Sequence, residues 1–157
     1  MLADVEIAKL KWKNGEEELQ LTDFINGNNN SQNLKCYVGT DSQPGRKYTK
    51  FATSVCLHGD KGIRFIIHTF RFKNYPEFSV ERRLMKEVEI SIMVANYLTT
   101  YKTIGVIEIH ADINCNPKYR SYRCMDSAKG YVEGMGFYYV GKPYSWAASS
   151  IADWFTK

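Results

Sequence analysis

Four acidic side chains, far apart along the chain, have the types and positions that could bind divalent cations. Asp41 and Asp112 each end an apolar stretch that predicts a strand, and Asp153 lies among small residues in a stretch that predicts a helix. A glutamate on an intervening helix would complete the group. Carboxylates that crowd together repel one another and resist ionising, so four in one place would require positive charge between them. Hard oxygen ligands suit Mg²⁺ or Mn²⁺, and such ions hydrolyse phosphodiesters.

Each of these acids also has an ordinary structural interpretation. Asp41 would otherwise begin a turn, Asp112 would lie on the solvated face of an edge strand, and Asp153 would form a surface salt bridge. On the intervening helix, periodicity alone slightly favours Glu81 over Glu87, because Glu81 lies nearer the middle of the apolar stripe, although in the first turn. The residues by themselves therefore leave the choice of glutamate open.

The pattern of apolar residues predicts the elements that would position these acids. The predicted strands are one that begins at Leu34, followed by 51–58, 63–72, 104–111 and 137–141, and the predicted helices are 79–98, 118–134 and 146–155. The order βββαβαβα describes an antiparallel meander followed by parallel strands, which need helical crossovers. We therefore predict an α/β fold with a five-stranded mixed sheet flanked by helices, in which the fourth strand lies beside the first.

The length and composition indicate one main folded domain. The chain has 157 residues, of which 44% are hydrophobic, enough to bury a core without disulfides or metals. We place this domain at 34–157 and interpret 1–33 as an N-terminal extension and polar linker. Within the extension, Asn14-Gly15 predicts a hairpin turn, and Thr22 is the predicted cap of a short helix.

Charge and cysteine content set further limits. The net charge of +4 permits a polyanionic partner without requiring one. No apolar run is long enough to cross a bilayer, and the acidic N-terminus does not resemble a signal peptide, so we expect a cytoplasmic protein without membrane contact. The spacing of the four cysteines favours free thiols, most of them buried.

Five segments of the sequence resemble the ribonuclease H-like family typified by bacterial YkuK proteins. They are 37–43 (YVGTDSQ), 83–88 (RLMKEV), 107–119 (IEIHADINCNPKY), 130–137 (GYVEGMGF) and 146–153 (WAASSIAD). The predicted element order is also that of ribonuclease H-like folds. The resemblance covers most of 35–157, and residues 1–33 are not clearly matched.

The resemblance implies a ribonuclease H-like fold with one acidic cluster, and it places the helix-borne acid at Glu87. We hypothesise a nuclease that hydrolyses phosphodiesters with two Mg²⁺ or Mn²⁺ ions about 3.5–4 Å apart. Asp41 would bridge both ions, Glu87 and Asp112 would complete one, and Asp153 the other. His110 could orient a ligand or move a proton, although a strand histidine is more often simply hydrogen-bonded in place.

A basic and aromatic segment follows the predicted fourth strand. Positive side chains contact phosphates and aromatic rings stack on bases, so this segment is the predicted substrate-binding surface, with nucleic acid as the partner. The residues assigned to it are Asn114, Lys118, Tyr119, Arg120 and Arg123, with Tyr122 beside them and Arg46, Lys47 and Lys50 as a second patch. The alternative is an ordinary solvated face, and the sequence does not choose between RNA, DNA, hybrid and junction.

Two other classes of function compete with a nuclease. A catalytically silent module on the same fold would bind nucleic acid or protein, with acids that hold structural bonds or fail to converge. A zinc or redox protein would use His110, Cys115 and Cys124, although their spacing fits no common zinc motif. Uptake of Mn²⁺ or Mg²⁺ distinguishes the nuclease from both.

Overall fold

The structure is a computed structural model that describes residues 4–27, 33–76 and 78–157. In chain order its elements are α1 (Asp4–Ala8), β1 (Lys11–Asn14), β2 (Glu17–Gln20), α2 (Leu21–Asn26), β3 (Leu34–Pro44), β4 (Tyr48–Gly59), β5 (Gly62–Lys73), α3 (Val80–Leu98), β6 (Ile104–Asn114), α4 (Met125–Gly134), β7 (Tyr138–Lys142) and α5 (Asp153–Thr156). A 3₁₀ helix (Arg120–Cys124) precedes α4, and a π-helical stretch (Ala147–Ala152) precedes α5.

One mixed sheet organises the fold, with the strand order β2-β1-β5-β4-β3-β6-β7. Strands β3, β4 and β5 form the predicted antiparallel meander, and β6 pairs in parallel with β3. Strand β7 then pairs in parallel with β6. The predictions of an α/β fold, a mixed sheet and a central place for the fourth predicted strand beside the first are confirmed.

The predicted number of five strands is wrong, because the N-terminal hairpin joins the sheet. Gly15 takes the left-handed conformation (φ 63°) at the predicted turn between β1 and β2, and Lys13 pairs with Ile67 of β5. The side chain of Trp12 is fully buried in the core. The two strands are short and mostly polar, and only Trp12 and the partly buried Leu19 pack on the core, so alternation alone does not show that they extend the sheet.

Helix boundaries differ from the predicted ones at three places. Thr22 lies inside α2, where its hydroxyl bonds that of Tyr101 (2.8 Å), and Gln20 is the N-cap, without a side-chain cap bond. The predicted helix 118–134 is divided into the 3₁₀ helix and α4, and the predicted helix 146–155 into the π-helical stretch and α5. Of the polar linker predicted in the extension, residues 28–32 lie outside the described residues.

Helix α3 packs on one face of the sheet and carries the predicted apolar stripe. Ser79 caps it by accepting the Arg82 N–H (3.2 Å). Leu84, Val88 and Leu98 are buried in the main core cluster against apolar residues of β3 and β6. In the described part of the chain, no helix is long and apolar enough to cross a membrane.

Candidate carboxylate site

Asp41 and Asp112 lie where two neighbouring parallel strands separate. The register of β3 with β6 ends at Gly39 and His110, and each aspartate lies two residues beyond that last pair. Side chains two positions apart share a face of a strand, so both aspartates lie on the face that carries Gly39 and His110. The prediction that Asp41 ends its strand is wrong, because β3 continues to Pro44 in its pairing with β4. The parallel pairing ends before Asp41, and this leaves space between β3 and β6.

The C-terminal helical segment covers the same face and brings Asp153 to it. A Cβ atom on Gly39 would lie 2.4 Å from the backbone nitrogen of Ala148, so only glycine permits this approach. The Ser54 hydroxyl donates to the Ala147 carbonyl (2.8 Å) and holds the same stretch to β4. Further along, the Thr156 hydroxyl lies 3.3 Å from Asp41 Oδ2. The segment that carries Asp153 is therefore fixed directly above Asp41.

Glu87 reaches the cluster from the opposite face of the sheet. The Ser42 hydroxyl, next to Asp41 in β3, donates to Glu87 Oε1 (2.5 Å). Arg83 donates from Nη1 to the Ser42 hydroxyl (2.7 Å) and lies 3.4 Å from Glu87 Oε1. Glu81, the other candidate on α3, instead pairs with Arg120 (3.0 Å) away from these residues. The structure thus places Glu87, and not Glu81, beside Asp41.

Burial and the charges of neighbouring acids act on the two innermost carboxyl groups. Only 6% of Asp41 and 3% of Glu87 is exposed, and we call this pair the inner acids. Burial, together with the charges of Asp112 and Asp153, raises the pKa of Asp41 to about 7. Burial and the charge of Asp41 raise the pKa of Glu87 well above its usual range. Asp112 therefore lies close enough to act on both inner acids, and Asp153 lies close enough to act on Asp41.

Asp112 and Asp153, which we call the outer acids, each have a lysine partner. Lys142 Nζ lies 2.7 Å from Asp112 Oδ1, and Lys157 Nζ lies 3.0 Å from Asp153 Oδ2. Burial works against the charge of Lys142, but Asp112, helped by Asp41 and Asp153, raises its pKa. Across the described residues, no three His, Cys, Asp or Glu side chains converge as a ready-made metal site. Each outer acid is therefore paired with a lysine ammonium group, and within the described residues it does not belong to an ordered set of metal ligands.

A comparison with protein families agrees with this arrangement of strands and helices. Residues 19–157 match the family model described as Ribonuclease H-like. The chain belongs to the ribonuclease H-like family. Comparisons with curated proteins and with solved structures gave no significant match. Membership of the ribonuclease H-like family, of which YkuK is a typical member, indicates a function related to nucleic acid.

His110 is hydrogen-bonded in place within this ribonuclease H-like domain. Its Nδ1 accepts the backbone N–H of Ala147 (3.1 Å), and its Nε2 lies 3.2 Å from Glu108 Oε2. Lys35 holds Glu108 from the other side (3.0 Å). Burial lowers the pKa of His110, which favours the neutral imidazole that can accept from Ala147. His110 therefore helps to anchor the C-terminal segment on the sheet.

The residues of the zinc or redox alternative do not gather around His110. Both of its ring nitrogens have protein partners, and all four cysteines are free thiols. Cys124 is buried below α3, whereas Cys115 is exposed in the loop after β6.

The predicted substrate-binding residues lie at the end of β6 and in the loop and 3₁₀ helix that follow it. Lys118 and Tyr119 are exposed and adjacent, with Lys118 Nζ 5.4 Å from the centre of the Tyr119 ring. Arg123 is also exposed and borders an open cleft of about 530 Å³ between α3 and α4. Arg120 pairs with Glu81, and the backbone N–H of Asn114 bonds the Ser121 hydroxyl (2.9 Å). These residues belong to one segment that follows Asp112, but Arg120 already has a counterion.

Among the described residues, sequence reasoning missed five that contact the acids: Ser42, Arg83, Lys142, Thr156 and Lys157. The position of Lys142 near Asp112 was predictable. Lys142 follows the predicted strand 137–141, and parallel neighbouring strands end at the same edge of a sheet, so it should lie near the end of the strand that carries Asp112. Ser42 and Arg83 carried no such signal, since their role depends on how α3 rotates against the sheet.

Proposed function

We propose that this ribonuclease H-like domain is a divalent-metal-dependent phosphodiester hydrolase that acts on nucleic acid through two metal ions. Its carboxylate ligands would be Asp41, Glu87, Asp112 and Asp153. The observation that carries the proposal is the burial of the two inner acids at the point where β3 and β6 separate, with Glu87 bonded to Ser42, the neighbour of Asp41. Burial and the charges of neighbouring acids raise the pKa of both carboxyl groups. A structure rarely retains two such unfavourable carboxyl groups without a functional reason.

The chemistry of the available donors fits Mg²⁺ or Mn²⁺. All four side chains offer hard oxygen ligands, and no sulfur ligand that would favour a softer metal takes part. Asp41 lies nearest the centre of the group, because both outer acids act on it, so it would be the main ligand for a bound cation. When bound, the two ions would supply an activated water and stabilise the leaving oxygen.

The protein's own residues orient the acids and restrict their movement. Ser42 and Arg83 fix one oxygen of Glu87, and Thr156 donates to Asp41. These contacts restrict the inner acids near the point where β3 and β6 separate, where a scissile phosphate would enter in the proposed reaction. The close packing of the C-terminal segment on Gly39 sets the position of Asp153 relative to Asp41.

The basic and aromatic segment after β6 supports nucleic acid as the substrate class. Lys118 and Arg123 offer exposed positive charge, and Tyr119, 47% exposed, offers a ring on which a base could stack. Asn114 ends β6 next to the outer acid Asp112 and would contact the substrate from there. Arg120 would contribute less than its neighbours, because its guanidinium is held by Glu81.

The decisive experiment measures cleavage of labelled single-stranded, duplex, hybrid and junction substrates in the presence of Mn²⁺. The wild-type protein is expected to cleave at least one substrate, and Asp41→Asn and Asp112→Asn are expected to lose about 10³-fold of that rate or more. Asp126→Asn is the matched control, because Asp126 is an exposed acid in the first turn of α4. Equal activity of Asp112→Asn and Asp126→Asn would refute the proposal.

A catalytically silent nucleic-acid-binding module is the second candidate, and the lysines at the outer acids favour it. Lys142 and Lys157 already neutralise Asp112 and Asp153 without any metal. Under this alternative the protein binds nucleic acid but takes up no Mn²⁺, and the binding is unchanged by Asp41→Asn. Calorimetric titration with Mn²⁺ therefore separates the two candidates without relying on activity.

A further inference from the structure

Lys142 is the last residue of β7 and reaches the carboxylate cluster from the edge strand. The parallel register pairs His110 with Val140 and Asn114 with Lys142, so Lys142 stands next to the end of β6. Its ammonium contacts Asp112 at 2.7 Å, and the charges of Asp41 and Asp153 also act on it. It thus lies among three of the four acids that are the proposed metal ligands.

An ammonium group and a divalent cation cannot share one carboxylate oxygen in this space. Both would approach Asp112 Oδ1, and like charges a few ångströms apart repel strongly in a partly buried site. A lysine has a flexible four-carbon stem, so its ammonium can move without any change in the backbone. The Lys142 side chain is 38% exposed, which gives it an open route to solvent.

We propose that Lys142 is an exchangeable counterion of the carboxylate cluster, which neutralises Asp112 in the metal-free protein and must leave before a divalent cation can bind there. The inference rests on the proposed function, because it assigns a competitor for the same metal ligands. It implies that Lys142 lowers the affinity of the resting site for metal while stabilising the metal-free fold. The second lysine, Lys157, is 66% exposed and contacts the outer acid Asp153, so it would compete less strongly with a divalent cation.

The test compares Mn²⁺ binding by calorimetry for the wild type, Lys142→Met and Lys129→Met. Lys129 is an exposed residue of α4, so its substitution removes the same charge far from the cluster. Lys142→Met is expected to bind Mn²⁺ about tenfold more tightly than the wild type, a modest factor because the partly exposed ion pair is screened by solvent. Lys129→Met is expected to match the wild type, and Lys142→Arg, which keeps the charge, is expected to retain the weaker binding.

Thermal unfolding provides the second measurement. Without metal, Lys142→Met is expected to unfold at a lower temperature than the wild type, and saturating Mn²⁺ should remove most of that difference. Lys142→Gln serves the same purpose if the methionine variant does not fold. A loss of stability with unchanged Mn²⁺ affinity would show that Lys142 is only a structural ion pair, and would overturn the inference while leaving the nuclease proposal intact. If neither the wild type nor Lys142→Met binds Mn²⁺, the proposed function itself fails.

Discussion

The inner and the outer acids of the cluster differ in how the protein compensates their charge. Asp41 and Glu87 are almost fully buried and are held by hydroxyl groups, with one arginine 3.4 Å from Glu87. The side chains of Asp112 and Asp153 are 23% and 36% exposed, and each contacts a lysine at 2.7 or 3.0 Å. Each outer acid thus has a lysine near solvent within 3.0 Å, whereas the two buried inner acids have hydroxyl partners and the more distant guanidinium of Arg83.

This difference indicates that the inner acids are the part of the site that the fold itself does not satisfy. A buried carboxylate without sufficient positive charge is unfavourable, and proteins retain such groups where they serve a function. The outer acids already have a lysine beside them and lie nearer to solvent, so they depend less on added positive charge than the inner acids do. A divalent cation would therefore gain most of its binding energy from Asp41 and Glu87, and would compete with lysine at the other two acids.

Replacing an inner acid should give the largest change in stability. In the metal-free protein, Asp41→Asn is expected to be more stable than the wild type at about pH 8, by at most about 4 kcal/mol, because the folded pKa is near 7 and the usual value is 3.8. Between these two values the unfolded chain releases the Asp41 proton first, so the wild type loses stability as pH rises. The advantage of Asp41→Asn should grow across this window and stay constant above it, as measured by urea unfolding.

Two controls test whether this effect belongs to the inner acids. Asp126→Asn should show no such trend, since Asp126 is exposed on α4. Saturating Mn²⁺ should stabilise the wild type and not Asp41→Asn, because only the wild type retains the central ligand. An advantage of Asp41→Asn that is the same at about pH 4 and at about pH 8 would mean that Asp41 does not titrate in this window.

Much of the fold could be predicted from alternation and helical periodicity. Strands β3 to β7, helix α3 with its Ser79 cap and the parallel placement of β6 beside β3 all follow from such local patterns. The hairpin turn at Gly15 was also predictable, but not its attachment to β5, because a single pair between Lys13 and Ile67 joins it there. Long-range pairing of a short polar strand leaves almost no trace in local sequence.

The candidate site was predictable in its residue types and less so in its contacts. Asp41 and Asp112 follow from the ends of apolar segments, but periodicity alone preferred Glu81 to Glu87 on α3. The structure resolves that choice through Ser42 and Arg83, which fix Glu87 beside Asp41, while Arg120 holds Glu81 elsewhere. Such contacts depend on the rotation of a helix over a sheet, which a pattern along one chain does not contain.

A substitution that moves the outer acid Asp153 relative to the inner acid Asp41 should have the next largest effect on stability, and should also lower the cleavage rate. Gly39→Ala would place a Cβ atom 2.4 Å from the Ala148 nitrogen and force the segment with Asp153 away from Asp41. We expect a loss of about 3 kcal/mol in the free energy of unfolding and a decrease of about 10²-fold in cleavage rate. Chemical denaturation and the cleavage assay measure the two effects.

Gly130→Ala is the matched control for this substitution. Nothing lies within 4 Å of a Cβ atom at Gly130. Since glycine weakens a helix interior, Gly130→Ala should stabilise the protein by about 0.5–1 kcal/mol and leave cleavage unchanged. A Gly39→Ala protein with normal stability and cleavage would show that the distance between Asp41 and Asp153 is not set by this packing.

Removing the cation beside an inner acid or the cation beside an outer acid should give the smallest changes in stability. The two changes compare the inner and outer acids directly. Arg83→Met removes a guanidinium that contacts Ser42 at 2.7 Å and lies near Glu87, and the loss of these partly buried bonds should cost about 1–2 kcal/mol. Lys157→Met removes an exposed partner of Asp153 and should cost roughly 0.3 kcal/mol. Urea unfolding in the absence of metal measures both. Equal costs would mean that the inner and outer acids are compensated alike, and the case for a cation bound mainly by Asp41 and Glu87 would fail, because the inner acids would no longer be the unsatisfied part of the cluster.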